Sequence, residues 1–291
     1  MDTVDVGLFG PGSVTWKLHQ EPILFVAGLR SLYLQALHPR AMAGVAQNSN
    51  YRQDAWGRLI RTADYVGTTV YGTTEEAERA GRRLRRLHAR MTAVDPATGE
   101  RFRIDEPDLL RWVHVTEVES FLDTARRAGV PLDADEVDSY YTEQRRTAAL
   151  VGLAPETVPG TAAEVADYYQ RIRPELRMTR EAAETALFLT APPLPWKLSL
   201  PARIGLNLGP PRWAYLGIAG TALALLPPWA RRLYGGLGLP TTALSADVTV
   251  RALRLALTAL PREWRESPMQ RAAKERAAQL TAASGTAAGD R

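Results

Sequence analysis

The run Ile23-Leu24-Phe25-Val26-Ala27-Gly28-Leu29-Arg30-Ser31-Leu32-Tyr33-Leu34-Gln35-Ala36-Leu37 decides the fold class. Its Leu24, Leu29, Leu32, Tyr33, Ala36 and Leu37 recur at helical rather than alternating spacing, with Pro22 opening the run and Pro39 breaking the helix just past its end. So many apolar faces predict a central helix with other elements packed around it. Upstream, Gly10-Pro-Gly-Ser13 is a turn with an N-cap leading into a short helix through Trp16 and Leu18. Downstream, after the polar turn Gln47 to Tyr51, Asp54 caps a helix that fades before Gly72, and Thr73-Thr-Glu-Glu76 reads as a capping box for an Arg-rich helix to about Met91.

The loop Asp95–Gly99 is followed by Asp105-Glu-Pro-Asp108, which opens a helix to Gly129. Further starts at Asp133, Thr161 and Thr179 predict helices through Val151, Ile172 and Thr190. Ala191 to Pro211 is Pro-rich and reads as irregular; helices resume around 213–226 and 244–260, with a last polar one from about 262 to 282. The expectation is an all-α, bundle-like domain over 1–280 with a disordered tail over 281–291.

Composition limits the chemistry. The chain has 291 residues, 45% of them apolar, enough for a substantial single core. It has no Cys, which excludes disulfides, thiolate metal sites and Cys nucleophiles, so any cofactor falls to His, Tyr, Met or carboxylates. A net charge of +4 brings nucleic acid to mind, but the Arg residues are interspersed with Glu and Asp along amphipathic helices, and no nucleic-acid role is expected. The N-terminus lacks a basic segment followed by an apolar one, from which a cytoplasmic location is expected. The uncharged run Trp213 to Trp229 ends in Pro227-Pro228 and is marginal for a span; it suits a buried or membrane-surface helix.

Only four His are available, His19, His38, His88 and His114. His88 lies late in its helix with Leu84, Leu87 and Met91 nearby and with Arg82, Arg83, Arg85, Arg86 and Arg90 around it. Axial ligation of haem iron needs such a neutral imidazole on an apolar face, and guanidiniums suit propionates. A half-buried His on a solvated helix is the plainer reading, and the residues alone favour it. His114 shares a helix face with Leu110, Val113, Glu117, Val118 and Phe121; His114-x-x-Glu117 matches half of a carboxylate di-iron site, but no second Glu-x-x-His occurs. His38 stands before Pro39 at a helix break, where its ring can point into a cavity or bond to backbone. Arg61, Thr62 and Tyr65 offer a polar surface one helix later, and His19 carries no assigned role.

Taken in order, Leu29 to His38-Pro39, Ser49-Asn-Tyr51, Arg58-Leu-Ile-Arg-Thr62, Val70-Tyr-Gly72, Leu87-His88-Ala89 and Pro107 to His114 resemble the MpaB-type and rubber-oxygenase (latex-clearing protein) catalytic domain over roughly the first 170 positions. The resemblance implies an α-helical, haem-b-binding oxygenase that uses dioxygen on a hydrophobic, unsaturated, isoprenoid-like substrate. It further implies His88 as iron ligand with His114 as runner-up, Arg82 and Arg85 as propionate contacts, and His38, Arg61 and Thr62 on the distal side, where the family carries a Lys-Thr pair. Two departures stand out: Asn48 replaces a His of many relatives, and Phe102-Arg-Ile104 replaces a Tyr-x-Ala pattern. The competing expectation is a haem-free lipid- or terpenoid-binding protein held at the membrane surface. Substrate identity and oligomeric state are not fixed by the sequence.

Overall fold

The computed structural model describes residues 4–50, 53–192, 210–236 and 240–289. Ser13 caps a short helix, α1 (Val14–His19), through its side-chain oxygen and the Trp16 amide. The apolar run then forms α2 (Leu24–Ala36), whose Val26, Ala27, Leu29, Tyr33 and Leu34 are all buried. His38 breaks that helix and starts α3 (Pro39–Asn48), with the proline at its first position. Asp54 and Thr73 cap α4 (Ala55–Tyr71) and α5 (Thr74–His88), the latter with both halves of a capping box in place.

A hairpin of β1 (Thr92–Val94) and β2 (Arg101–Arg103) comes next, antiparallel with Ala93 opposite Phe102. Then come α6 (Pro107–Arg127), α7 (Ala134–Val151), α8 (Ala162–Ile172) and α9 (Arg180–Thr190). Beyond them lie α10 (Pro210–Ala224), α11 (Pro228–Leu233), α12 (Pro240–Thr258), α13 (Arg262–Arg265) and α14 (Pro268–Gly289). Among the described residues the hairpin is the only sheet, and the fold is all-α.

The core is built on the pairing of α2 with α6, with α10 laid against α2. Val26, Leu34 and Leu37 meet Trp112, Val115 and Leu122 in one cluster, and the Trp112 indole donates to the Gln35 carbonyl at 3.2 Å. Each buried aliphatic side chain of this kind contributes about 1.5–3 kcal/mol. A polar node is set inside it. Arg30, 1% exposed, donates to Glu119 at 2.6 and 3.0 Å, to Ser120 at 2.7 Å and to the Leu225 carbonyl at 3.2 Å, tying α2, α6 and the end of α10 together. Paired carboxylates hold its guanidinium charged against the cost of burial.

Three features depart from the sequence expectation. The hairpin was legible only as a loop, because three-residue strands are too short to show alternation. Pro268 and the Ser267–Gln270 cap divide the expected last helix into α13 and α14, and helical backbone continues to Gly289. The expected irregular stretch Ala191 to Pro211 falls mostly outside the described residues.

Candidate functional site

The site begins with α5. Ala77, Gly81, Leu84 and His88 succeed one another at spacings of four, three and four, so they share the inward face; Ala77 and Gly81 are buried against neighbours. The missing Cβ of Gly81 lets α5 approach the backbone of Leu150, in the last turn of α7. One turn on, Arg85 Nη1 donates to the Leu150 carbonyl at 2.5 Å. His88 lies seven residues beyond Gly81, about 10 Å further along the axis. By then α7 has ended at Val151 and turned away through Gly152, which has φ 98°.

The His88 ring therefore looks past the end of α7. It is half-buried, and among the described residues neither nitrogen takes a hydrogen bond; Nδ1 is sealed from solvent without a partner, whereas Nε2 is not. Burial lowers its pKa, and the Asp105 carboxylate offsets this only in part. The imidazole is neutral at neutral pH, with a lone pair free for a ligand.

On the next side, α4 packs on α5, α1 and α14 but stands off from α6. The space left between them is bordered by unsatisfied groups. His114 and Glu117, one turn apart on α6, are half-buried, and among the described residues no hydrogen bond or ion pair holds either. Burial brings the His114 pKa down to about 4 and the Glu117 pKa up to about 7. Across from them, the Tyr65 hydroxyl of α4 is sealed without a partner among the described residues; burial first and the Glu117 charge second raise its pKa to about 12, against an opposing pull from Arg85. Apolar side chains left exposed on these same helices include Ile60, Leu87 and Val113.

One turn back along α6, Val113 joins an apolar cavity of about 80 Å³. Leu32 and Ala36 of α2, Met42 and Val45 of α3, Leu59 of α4 and Phe188 of α9 line it, with Gln35, Arg58, Thr62, Thr185 and Tyr215 as its polar groups. Thr62 is exposed, so the cavity reaches the surface beside α4.

The sequence candidates divide accordingly. Thr62 lines the cavity and His114 stands one turn from Glu117 on α6, whereas His88 lies at the end of α5 near Asp105. Arg61 does not line the cavity: its guanidinium pairs with Asp54 at 3.0 Å on the outer surface. Arg82 pairs with Glu78 at 3.1 Å, and Arg85 is committed to Leu150. On α5 the guanidiniums without a partner among the described residues are those of Arg83, Arg86 and the nearby Arg90, all exposed. His38 serves as N-cap of α3: its Nδ1 accepts from the Ala41 amide at 3.3 Å, its Nε2 lies 3.8 Å from Glu175, and burial lowers its pKa to about 4. His19 is bonded to the Tyr140 hydroxyl at 3.2 Å. Among the described residues no cluster of three or more His, Asp or Glu is placed to hold a metal ion, so the di-iron half-motif has no second half.

Two residues gain importance only in the fold. Arg58 lines the cavity and donates to Ser49 Oγ at 3.0 Å; its spacing of four to Thr62 and seven to Tyr65 was the available signal. Asn48 donates to the carbonyls of Gly44 and Thr92 at 3.1 and 3.0 Å and so fixes α3 to the hairpin.

A family model described as "ER-bound oxygenase mpaB/B'/Rubber oxygenase, catalytic domain" matches residues 16–259. No curated protein and no solved structure matches the chain.

Proposed function

The chain belongs to the MpaB and rubber-oxygenase catalytic-domain family, and on that premise we propose that it is a haem-b-dependent oxygenase whose iron ligand is His88 and whose substrate is a small hydrophobic, unsaturated molecule. The observation that carries this reading is the His88 ring itself: half-buried on the inward face of α5, neutral, and unbonded at both nitrogens among the described residues. A neutral imidazole is a protein ligand for haem iron, and His88 would hold a haem there. The exposed guanidiniums of Arg83 and Arg86 on α5, and of Arg90 just past its end, are available to its propionates, in place of Arg82 and Arg85. Haem b, when bound, supplies the iron chemistry that activates dioxygen.

The remaining work falls to side chains of the chain. Leu32, Ala36, Met42 and Val113 present a water-poor wall to an apolar substrate. Arg58 and Thr62 give that wall its polar edge and orient whatever oxygen-bearing group approaches. Glu117, with a pKa near 7, holds or yields a proton at its carboxyl oxygens under physiological conditions.

The test is an ultraviolet–visible spectrum of protein reconstituted with haemin, oxidised and reduced. A Soret band that His88→Ala abolishes and His114→Ala retains is expected; the reverse pattern moves the ligand to His114. A folded protein that stays colourless in haemin removes the oxygenase reading and leaves a haem-free binder of apolar ligands.

A further inference from the structure

α12 is apolar on two opposite faces. At 100° per residue, Ala246, Val250, Leu253 and Leu257 fall on one side and pack into the core. Leu244, Val248, Ala252 and Leu255 fall on the other, within an arc of about 80°, and all are exposed, the Leu and Val side chains by 62–67%. A helix buried on one face needs only polar residues on the other, so an outward apolar stripe points to something that covers it.

Charge identifies what covers it. From Thr185 to Ala246 the chain contains no Asp or Glu, and its described basic residues there are Arg212, Arg231 and Arg232, of which Arg231 is buried. The one acid on α12, Asp247, is neutralised by Arg127 at 2.5 Å on the flank of the helix. Arg251 borders the stripe, and Arg232 of α11 is exposed. The other acids set against α12 and the adjoining α6 are paired as well, Glu21 with Arg254 at 2.7 Å and Asp123 with Arg30 at 3.1 Å. A second copy of this chain would set the same guanidiniums against one another across a two-fold axis. No helix among the described residues is long and apolar enough to cross a membrane. We propose that the outer face of α12 docks on the surface of an anionic lipid bilayer, the apolar stripe entering the headgroup region and exposed arginines such as Arg251 meeting lipid phosphates. This docking does not depend on the haem reading.

Co-sedimentation of the full chain with vesicles of phosphatidylcholine alone, and with about one-third phosphatidylglycerol, tests it. Binding is expected to the second kind only and to weaken as salt rises. The triple variant Leu244→Asp, Val248→Asp, Leu255→Asp is expected to lower the bound fraction at least about tenfold with its far-ultraviolet circular dichroism unchanged. Should that variant misfold, Arg232→Glu with Arg251→Glu is expected to weaken binding to the anionic vesicles in the same way. Wild-type protein left in the supernatant with anionic vesicles overturns the proposal, as do folded variants that bind like wild type. A wild-type dimer in sedimentation velocity that the triple variant dissociates, without vesicle binding, overturns it in favour of a self-association face.

Discussion

A Cβ placed on Gly81 would stand 2.7 Å from the carbonyl oxygen of Leu150 and 3.0 Å from its Cβ, closer than packed atoms allow. That contact sets α5 on the last turn of α7, and through it the position of His88 two turns later. Gly81→Val forces the two helices apart, and a loss of about 1–3 kcal/mol in urea unfolding is expected. Arg85→Ala, which removes only the bond to the Leu150 carbonyl, is expected to cost about 0.5–1.5 kcal/mol by the same measurement.

Arg58 and Arg61 sit three residues apart on one helix and face different surroundings. Arg58→Ala is expected to lower oxygen uptake with a hydrophobic alkene at least about tenfold, the effect of losing one positioned donor. Arg61→Ala, which breaks only an exposed pair with Asp54, should leave uptake within about twofold and stability within about 0.5 kcal/mol. Equal losses in both variants would contradict the assignment of Arg58 to the cavity.

Stability should respond to pH in two opposite senses. Glu117 has a folded pKa of about 7, above the ordinary carboxyl value of 4.5, so the native state binds the extra proton and stability from this group is lost as pH rises from about 4.5 to 7. Glu117→Gln is therefore expected to raise the thermal midpoint at pH 8, by an equivalent of about 1–3 kcal/mol, and to change little at pH 4.5. His19, His38 and His114 have folded values of about 3, 4 and 4. The unfolded chain takes up protons first below pH 6.5, and stability falls from there down to about pH 4. His114→Phe should flatten part of that acid limb in thermal melts.

Arg30 is expected to be the least replaceable charged residue. Arg30→Ala leaves the Glu119 carboxylate with only the Tyr169 hydroxyl as partner, beside a buried Ser120, and should cost about 3–5 kcal/mol in chemical denaturation. Arg30→Met, which fills the same space, should cost less when combined with Glu119→Gln than alone.

How much of this was legible beforehand differs by residue. Thr73, Asp133, Thr161 and Thr179 named their helices because a cap and its target lie within three residues. The His88 face of α5 came from the same local periodicity. The roles of Arg82, Arg85 and Arg61 did not, since each has a partner that sequence pattern alone did not single out: Glu78, the Leu150 carbonyl and Asp54. The short hairpin was hidden for want of length, and the capping role of the His38 ring was one of two readings open at a helix break.

The amino-acid sequence by itself determined an all-helical chain, its element starts and the small set of imidazoles that any cofactor must use, because helix formation and capping are settled by neighbours three and four residues apart. Tertiary structure decided which polar groups look into the gap between α4 and α6, that α12 carries an apolar stripe on its outer side, and that α5 outruns α7 at His88. Those depend on contacts between residues as far apart as Gly81 and Leu150 or Arg30 and Leu225, and only the packed chain brings them together.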